Sequence, residues 1–117
     1  MALRRLLDTN FAMVSGDSKD IVVSVLDELD QVVPITGASA VFILSKTEFS
    51  AALVTKTTGG GIVITDGPAG VLTVSLDPAD TEALVGTHYM EIELTDASLR
   101  VSTIVTGHID IRKNVIE

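Results

Sequence analysis

The sequence predicts an all-β chain: an immunoglobulin-like β-sandwich of about seven strands, with one short helical turn near residues 77–84. Three observations carry that prediction. Val, Ile and Thr together supply 38 of the 117 residues, and β-branched side chains, stiff at χ1, fit a pleated surface better than a helix. Apolar and polar residues alternate with period two along several segments. Turn-forming residues fall between those segments at the spacing a sandwich needs.

Taken in order, Ser15-Gly16-Asp17 separates the first two strands. Residues 20–27 and 38–46 are apolar almost throughout, as in central strands or in strands whose second face is covered by a partner. Val22, Leu26, Val41 and Ile43 are the outward candidates. Asp27-Glu28-Leu29-Asp30-Gln31 bends the chain, and Pro34 and Gly37 punctuate the stretch after it. Gly59-Gly60-Gly61 reads as a flexible hairpin tip before a short strand from Ile62 to Thr65, and residues 66–70 make a tight return. Leu72, Val74 and Leu76 then face one way, against Thr73 and Ser75. Asp77 before Pro78, acidic residues in the first turn and Gly86 beyond its end mark the helical turn. From Gly86 to Thr95, His88, Met90, Ile92 and Leu94 share a face opposite Glu91, Glu93 and Thr95. Residues 96–99 link this strand to the last one, where Val101, Thr103, Val105, Ile109 and Ile111 oppose Ser102, Thr106, His108 and Asp110. The expected organisation is an N-terminal arm, residues 1–10, and a single domain, residues 11–117.

Composition excludes whole classes of activity. Cysteine is absent, which removes disulfides, thiolate metal sites and thiol nucleophiles. A formal charge of −8 argues against nucleic acid, since phosphate contacts need a basic face. No run approaches the roughly 20 apolar residues of a membrane span. The apolar stretch in Met1-Ala2-Leu3-Arg4-Arg5-Leu6-Leu7 is too short for a signal-peptide core, so a soluble protein made in the cytoplasm is expected. The core must be largely aliphatic. Phe11, Phe42, Phe49 and Tyr89 are the whole aromatic inventory, a poor stock for stacking against sugars.

No constellation points to an enzyme or a cofactor. His88 and His108 lie outside any metal-ligand spacing and read as a backbone-bonded rim histidine and a surface histidine. Asp27, Glu28 and Asp30 at one bend and Asp96 at another offer oxygen ligands for Ca²⁺. They lack the D-x-D-x-D-G arrangement and so read as solvated turns that blunt the sheet edge. Glu91 and Glu93, roughly 6–7 Å apart along an exposed strand face, lack a pocket to separate their pKa values. No Gly-Lys-Ser/Thr follows the three glycines, and no serine sits in a G-x-S-x-G elbow.

Four stretches are distinctive as a set. These are Gly16-Asp17-Ser18 before an apolar strand; Val33-Pro34-Ile35-Thr36-Gly37-Ala38 before Ala40–Leu44; Gly70–Leu76 running into Asp77-Pro78-Ala79-Asp80-Thr81; and Gly86–Ile92 continuing to Asp96 and then to Ile111. Over residues 11–112 this order resembles the N-terminal immunoglobulin-like domain of the phage baseplate upper protein family and related small virion proteins. Leu99 stands where such a hairpin usually has Gly. The resemblance implies a structural virion protein at the neck, tail, baseplate or capsid surface. Its expected partners are other virion proteins and copies of itself, as a homo-oligomer or ring, with no nucleic acid and no membrane. The residues expected to carry assembly are Leu3, Arg4, Arg5, Leu6 and Leu7, an apolar-basic arm on an acidic domain, with Gly59, Gly60 and Gly61 as a second contact. The competing expectation is a carbohydrate- or Ca²⁺-binding surface module.

Overall fold

The alternation written into the chain decides which side of each strand is buried. The computed structural model describes the backbone of residues 7–116 and the side chains from Thr9 onward. It contains β1 (Leu7–Val14), β2 (Lys19–Ser24), β3 (Ser39–Ser45), β4 (Ala52–Thr58), β5 (Gly61–Asp66), β6 (Val71–Leu76), α1 (Pro78–Thr81), β7 (Gly86–Thr95) and β8 (Val101–Arg112). In β6 every second residue is fully buried, namely Leu72, Val74 and Leu76. In β7 His88, Met90, Ile92 and Leu94 point inward as their spacing predicts. Phe42 and Leu44 of β3, Ile62 of β5 and Ile109 and Ile111 of β8 complete one continuous core. Phe42 is its single fully buried aromatic ring; the rest is aliphatic apart from Met13 and Met90.

Hydrogen bonding links the strands in the order β1-β8-β7-β3-β4-β5-β6-β2. The arrangement is an immunoglobulin-like sandwich closing toward a barrel. One layer is β1-β8-β7-β3-β4 and the other is β5-β6-β2. The layers are joined where β4 meets β5 over only Thr57↔Gly61 and Thr58↔Ile62. The two ends of the order, β1 and β2, are the edges of the sandwich among the described residues.

Two sequence expectations, the strand count and the extent of the helical turn, are sharpened here, and three others are corrected. The described residues form eight strands, close to the expected seven; the one not read from the sequence is β4, where only Val54 is buried and the apolar alternation is lost. The helix spans four residues, 78–81, and not the whole of 77–84, because a Thr81 O to Leu84 N–H bond tightens the chain before Gly86 opens β7. In β8 the alternation slips. Ile92 pairs with Val105 but Glu93 pairs with Thr103, so Ile104 is an extra residue in the ladder. This bulge turns Ile104 into the core and Val101 and Thr103 out to solvent, reversing the phase expected from Val101. The boundary expected at residue 10 falls inside β1, whose parallel pairing with β8 begins at Leu7↔Val105. Finally, Gly59–Gly61 is not a hairpin tip, since the strands on either side run parallel where they meet. It is a hydrogen-bonded corner, with Gly60 N–H donating to Thr57 O (2.7 Å) and Gly59 N–H to Ile62 O (3.0 Å), and with positive φ at Gly59 and Gly61.

Candidate interaction surface

The two edge strands are held in place from opposite sides. β1 reaches β8 because Gly107, opposite Thr9, has no Cβ; one there would overlap the Thr9 carbonyl oxygen. The Asn10 side-chain oxygen also accepts from the His108 N–H at 2.8 Å. The turn after β1 is pinned to α1 by two bonds. Ser15 Oγ donates to Thr81 O at 2.8 Å, and Gly16 N–H donates to the fully buried Thr81 Oγ1 at 3.0 Å. Lys56 of β4 fastens α1 in turn, with Nζ 2.8 Å from Asp80 Oδ2 and 3.7 Å from Asp77 Oδ2. The hydrogen bond and charge of Asp80 hold the Lys56 ammonium above the usual lysine range, against the opposing effect of its burial.

β2 is bonded on one side only among the described residues, to β6 in antiparallel register from Lys19↔Leu76 to Ser24↔Val71. Just beyond, Val25 N–H donates to Gly70 O at 2.8 Å. Antiparallel residues alternate between facing the partner strand and facing away. Val23 and Ile21 therefore turn their amides toward β6, while the backbone N–H and C=O groups of Asp20, Val22 and Ser24 point to the open edge. The side chain of Val22, an outward candidate from the sequence, is 66% exposed. Leu26 and Ile43 are half-buried and Val41 is exposed, in keeping with the outward phase expected of all four.

Between β1 and β2 lies a cleft of about 490 Å³. Its lining is mostly apolar and includes Phe11 of β1, Ile21 and Val23 of β2, Val105 of β8, and Leu26 beyond the end of β2. At one end Lys19 bridges the two edges, its Nζ 5.2 Å from the centroid of the Phe11 ring. Beyond Leu26 comes the acidic bend of residues 27–30. The seam of the sandwich is thus an apolar groove with one wall of backbone donors and acceptors that no other strand pairs among the described residues. Sequence reasoning marked Val22 and Leu26 as outward but did not assemble this groove. Phe11, Lys19 and Val105 belong to three strands whose adjacency is a product of topology.

The other candidate residues are dispersed. Leu3, Arg4, Arg5 and Leu6 lie outside the described residues, and Leu7 enters only through the backbone pairing of β1. Gly59–Gly61 sits at the middle of the strand order, whereas the β1/β2 cleft joins its ends. His88 is buried with Nδ1 3.0 Å from Gly86 O, and His108 is exposed, its ring edge-on to Tyr89 at 5.9 Å. Asp27 Oδ1 accepts from the N–H groups of Leu29 and Gln31, and Asp96 Oδ1 from those of Ser98 and Arg100. These carboxylates cap their own turns, and among the described residues no group of three His, Asp or Glu side chains gathers as a metal cluster would. Glu91 is half-buried and accepts a 2.6 Å bond from Tyr89 OH, while Glu93 is exposed. Burial first, and then this bond, push the Tyr89 phenol up to about 12. No helix among the described residues is long and apolar enough to cross a membrane.

The chain matches no protein-family model and no curated protein. Among solved structures it is similar to the fibronectin(III)-like modules of CbhA from Clostridium thermocellum. That match covers 100% of this chain with a TM-score of 0.54 and 12% identity, and the chain spans 50% of the length of that one. AggA, the major subunit of aggregative adherence fimbriae type I from Escherichia coli, aligns over 87% of this chain and 89% of its own with 14% identity and a TM-score of 0.39. At such identities the likeness to the CbhA modules speaks to fold: a β-sandwich of the immunoglobulin and fibronectin kind.

Proposed function

We propose that this protein is a structural component of a bacteriophage virion, at the neck, tail, baseplate or capsid surface, and that it works by protein–protein assembly without catalysis. The observation that carries the assembly reading is the seam between β1 and β2, an apolar cleft beside a strand edge whose main-chain groups face outward. Apolar surface at an open sheet edge is a template for another chain unless it is blocked. Here the blocking devices are sparse: Lys19 guards one end, and neither Pro nor a bulge interrupts β2. The polar groups that chemistry would use are engaged in structural bonds, His88 with Gly86 and both turn aspartates with backbone amides.

The phage assignment rests on the resemblance of the four stretches between residues 16 and 111 to small virion immunoglobulin-like domains. In this reading the arm with Leu3, Arg4, Arg5, Leu6 and Leu7 docks on a neighbouring subunit, and the domain joins copies of itself and other virion proteins. Antibody labelling of purified phage particles from a strain that encodes the chain tests this directly. Label at a fixed position on intact particles is the expected result. Label confined to the soluble lysate fraction would remove the virion role. A bound glycan or Ca²⁺ on an isolated monomer would favour the surface-binding module instead.

A further inference from the structure

We propose that β2 pairs with β2 of a second copy of this chain, antiparallel and across a two-fold axis at Val22, so that the β5-β6-β2 layer continues into the same three strands of the other copy. The inference rests on the self-association part of the assembly reading and specifies its surface; it does not depend on the phage assignment. Three features select a second copy.

The first is register. Asp20, Val22 and Ser24 turn their main-chain donors and acceptors to an edge that no other strand pairs among the described residues. These positions are spaced symmetrically about Val22. Antiparallel pairing centred there sets Val22 against Val22 and Asp20 against Ser24 of the other copy, and every edge-facing N–H then meets a C=O. No like charges fall opposite each other. Asp20 Oδ1 already accepts from Ser75 Oγ at 2.9 Å, and the Ser24 hydroxyl of the other copy brings a second donor. An isologous contact of this kind closes on itself as a dimer.

The second is apolar surface. Val22 is 66% exposed and Val63 58%. The ladder sets both opposite Thr73 of β6, so the three lie in one row across the outer face of the layer. In the dimer this row runs unbroken through the axis, and the two Val22 side chains, each at the end of its own row, cover one another.

The third is charge. Lys19 is the one charged residue lining the cleft beside this edge, and it opens β2. Glu28 and Asp30 are exposed on the bend past the other end of the strand. Antiparallel pairing sets Lys19 against Val25 of the other copy. Glu28 follows three residues on, roughly 10 Å along an extended chain and about one Debye length at 0.1 M salt. Each Lys19 is thus brought to the acidic bend of the other copy, a match made twice in one dimer. Parallel pairing would instead lay the two acidic bends side by side.

The chain lacks cysteine, so single replacements report from one position. Antiparallel residues bonded to each other have Cα atoms about 5.5 Å apart, inside the disulfide range. Val22→Cys should therefore cross-link to itself on mild oxidation about tenfold faster, or more, than Val63→Cys, which is exposed on the same face but two strands from the axis. Sedimentation velocity of the unmodified chain at rising concentration should show a monomer–dimer equilibrium. Val22→Lys keeps the bonds to β6, sets two ammonium groups against each other and should weaken the dimer about tenfold or more. Lys19→Glu should weaken it too, and adding Glu28→Lys should restore it, a rescue that a merely structural role for Lys19 would not give. Dimers that survive Val22→Lys, cross-link no faster through residue 22 than through residue 63, or are not rescued by the charge exchange overturn this interface and leave self-association to another surface. A chain that stays monomeric up to millimolar concentration overturns both, whereas the virion role is decided by the antibody label alone.

Discussion

Gly107 of β8 lies flush against the backbone of Thr9 in β1, in the space a side chain would otherwise fill. Parallel pairing of an edge strand thus depends on the absence of one carbon atom. Gly107→Ala should push β1 off β8 while leaving the β7–β3 pairing intact. The expected cost is about 1–3 kcal/mol, the usual range for forcing atoms into a packed site. Hydrogen exchange is the decisive measurement: amides of residues 9–13 should lose protection long before those of β7. Equal protection in the variant would show that β1 accommodates the methyl group.

Tyr89 is the only tyrosine, and tryptophan is absent, so tyrosinate absorbance reports one group. Its ordinary pKa of 10.0 is raised to about 12 by burial and by the bond to Glu91. Between those values the unfolded chain releases a proton that the folded chain retains. Stability should therefore fall as pH rises from about 10 to 12. Glu91→Gln removes the charge and should lower the midpoint, leaving the part due to burial. A midpoint near 10 in the native protein would contradict the buried, bonded phenol.

Lys56 and Asp80 form the ion pair that ties α1 to β4 at 2.8 Å. Lys56→Met should destabilise by about 1–3 kcal/mol, the range for losing a hydrogen bond to a charged group. The Lys56 pKa is raised in the folded state. Its contribution is thus fully present below the ordinary lysine range and disappears as pH climbs through the elevated folded value. Melting curves of both proteins should differ at neutral pH and converge in strong alkali.

Leu99 takes φ of +65° in the β7–β8 hairpin while its side chain is 81% exposed. A left-handed backbone costs a branched residue about 1–2 kcal/mol relative to glycine, which itself has more freedom to lose on folding. With little packing to forfeit, Leu99→Gly should stabilise by about 0.5–1 kcal/mol in chemical denaturation. A decrease in stability would indicate that Leu99 packs where the structure shows it exposed.

Phe42 is the core's one fully buried ring. Phe42→Ala should cost about 3–5 kcal/mol through lost transfer energy and the cavity left behind. An equilibrium unfolding curve checks it, and a loss below 1 kcal/mol would mean that the aliphatic neighbours collapse into the space.

How much of the fold is legible in the chain depends on how local each signal is. Strands such as β6 and β7 carry their inside and outside in their own alternation, because successive side chains must point to opposite faces. The bonding of His88 to nearby backbone is legible for the same reason. β4 is not, since with only Val54 buried its residues show no periodicity to read. The slip at Ile104 is also hidden, because a bulge leaves composition unchanged and alters only the register with β7. Gly59–Gly61 carries a turn signal, but nothing local distinguishes a hairpin tip from a corner between layers.

By itself, then, the sequence determined an all-β sandwich with an aliphatic core, the inward faces of its regular strands and the capped turns that join them. Those are consequences of side-chain shape and period. Only the tertiary structure decided which strands became edges, and so where backbone groups were left facing outward between Phe11, Ile21 and Val105. That decision belongs to pairing between segments far apart in the chain, and no residue's own chemistry encodes which neighbour it will lack.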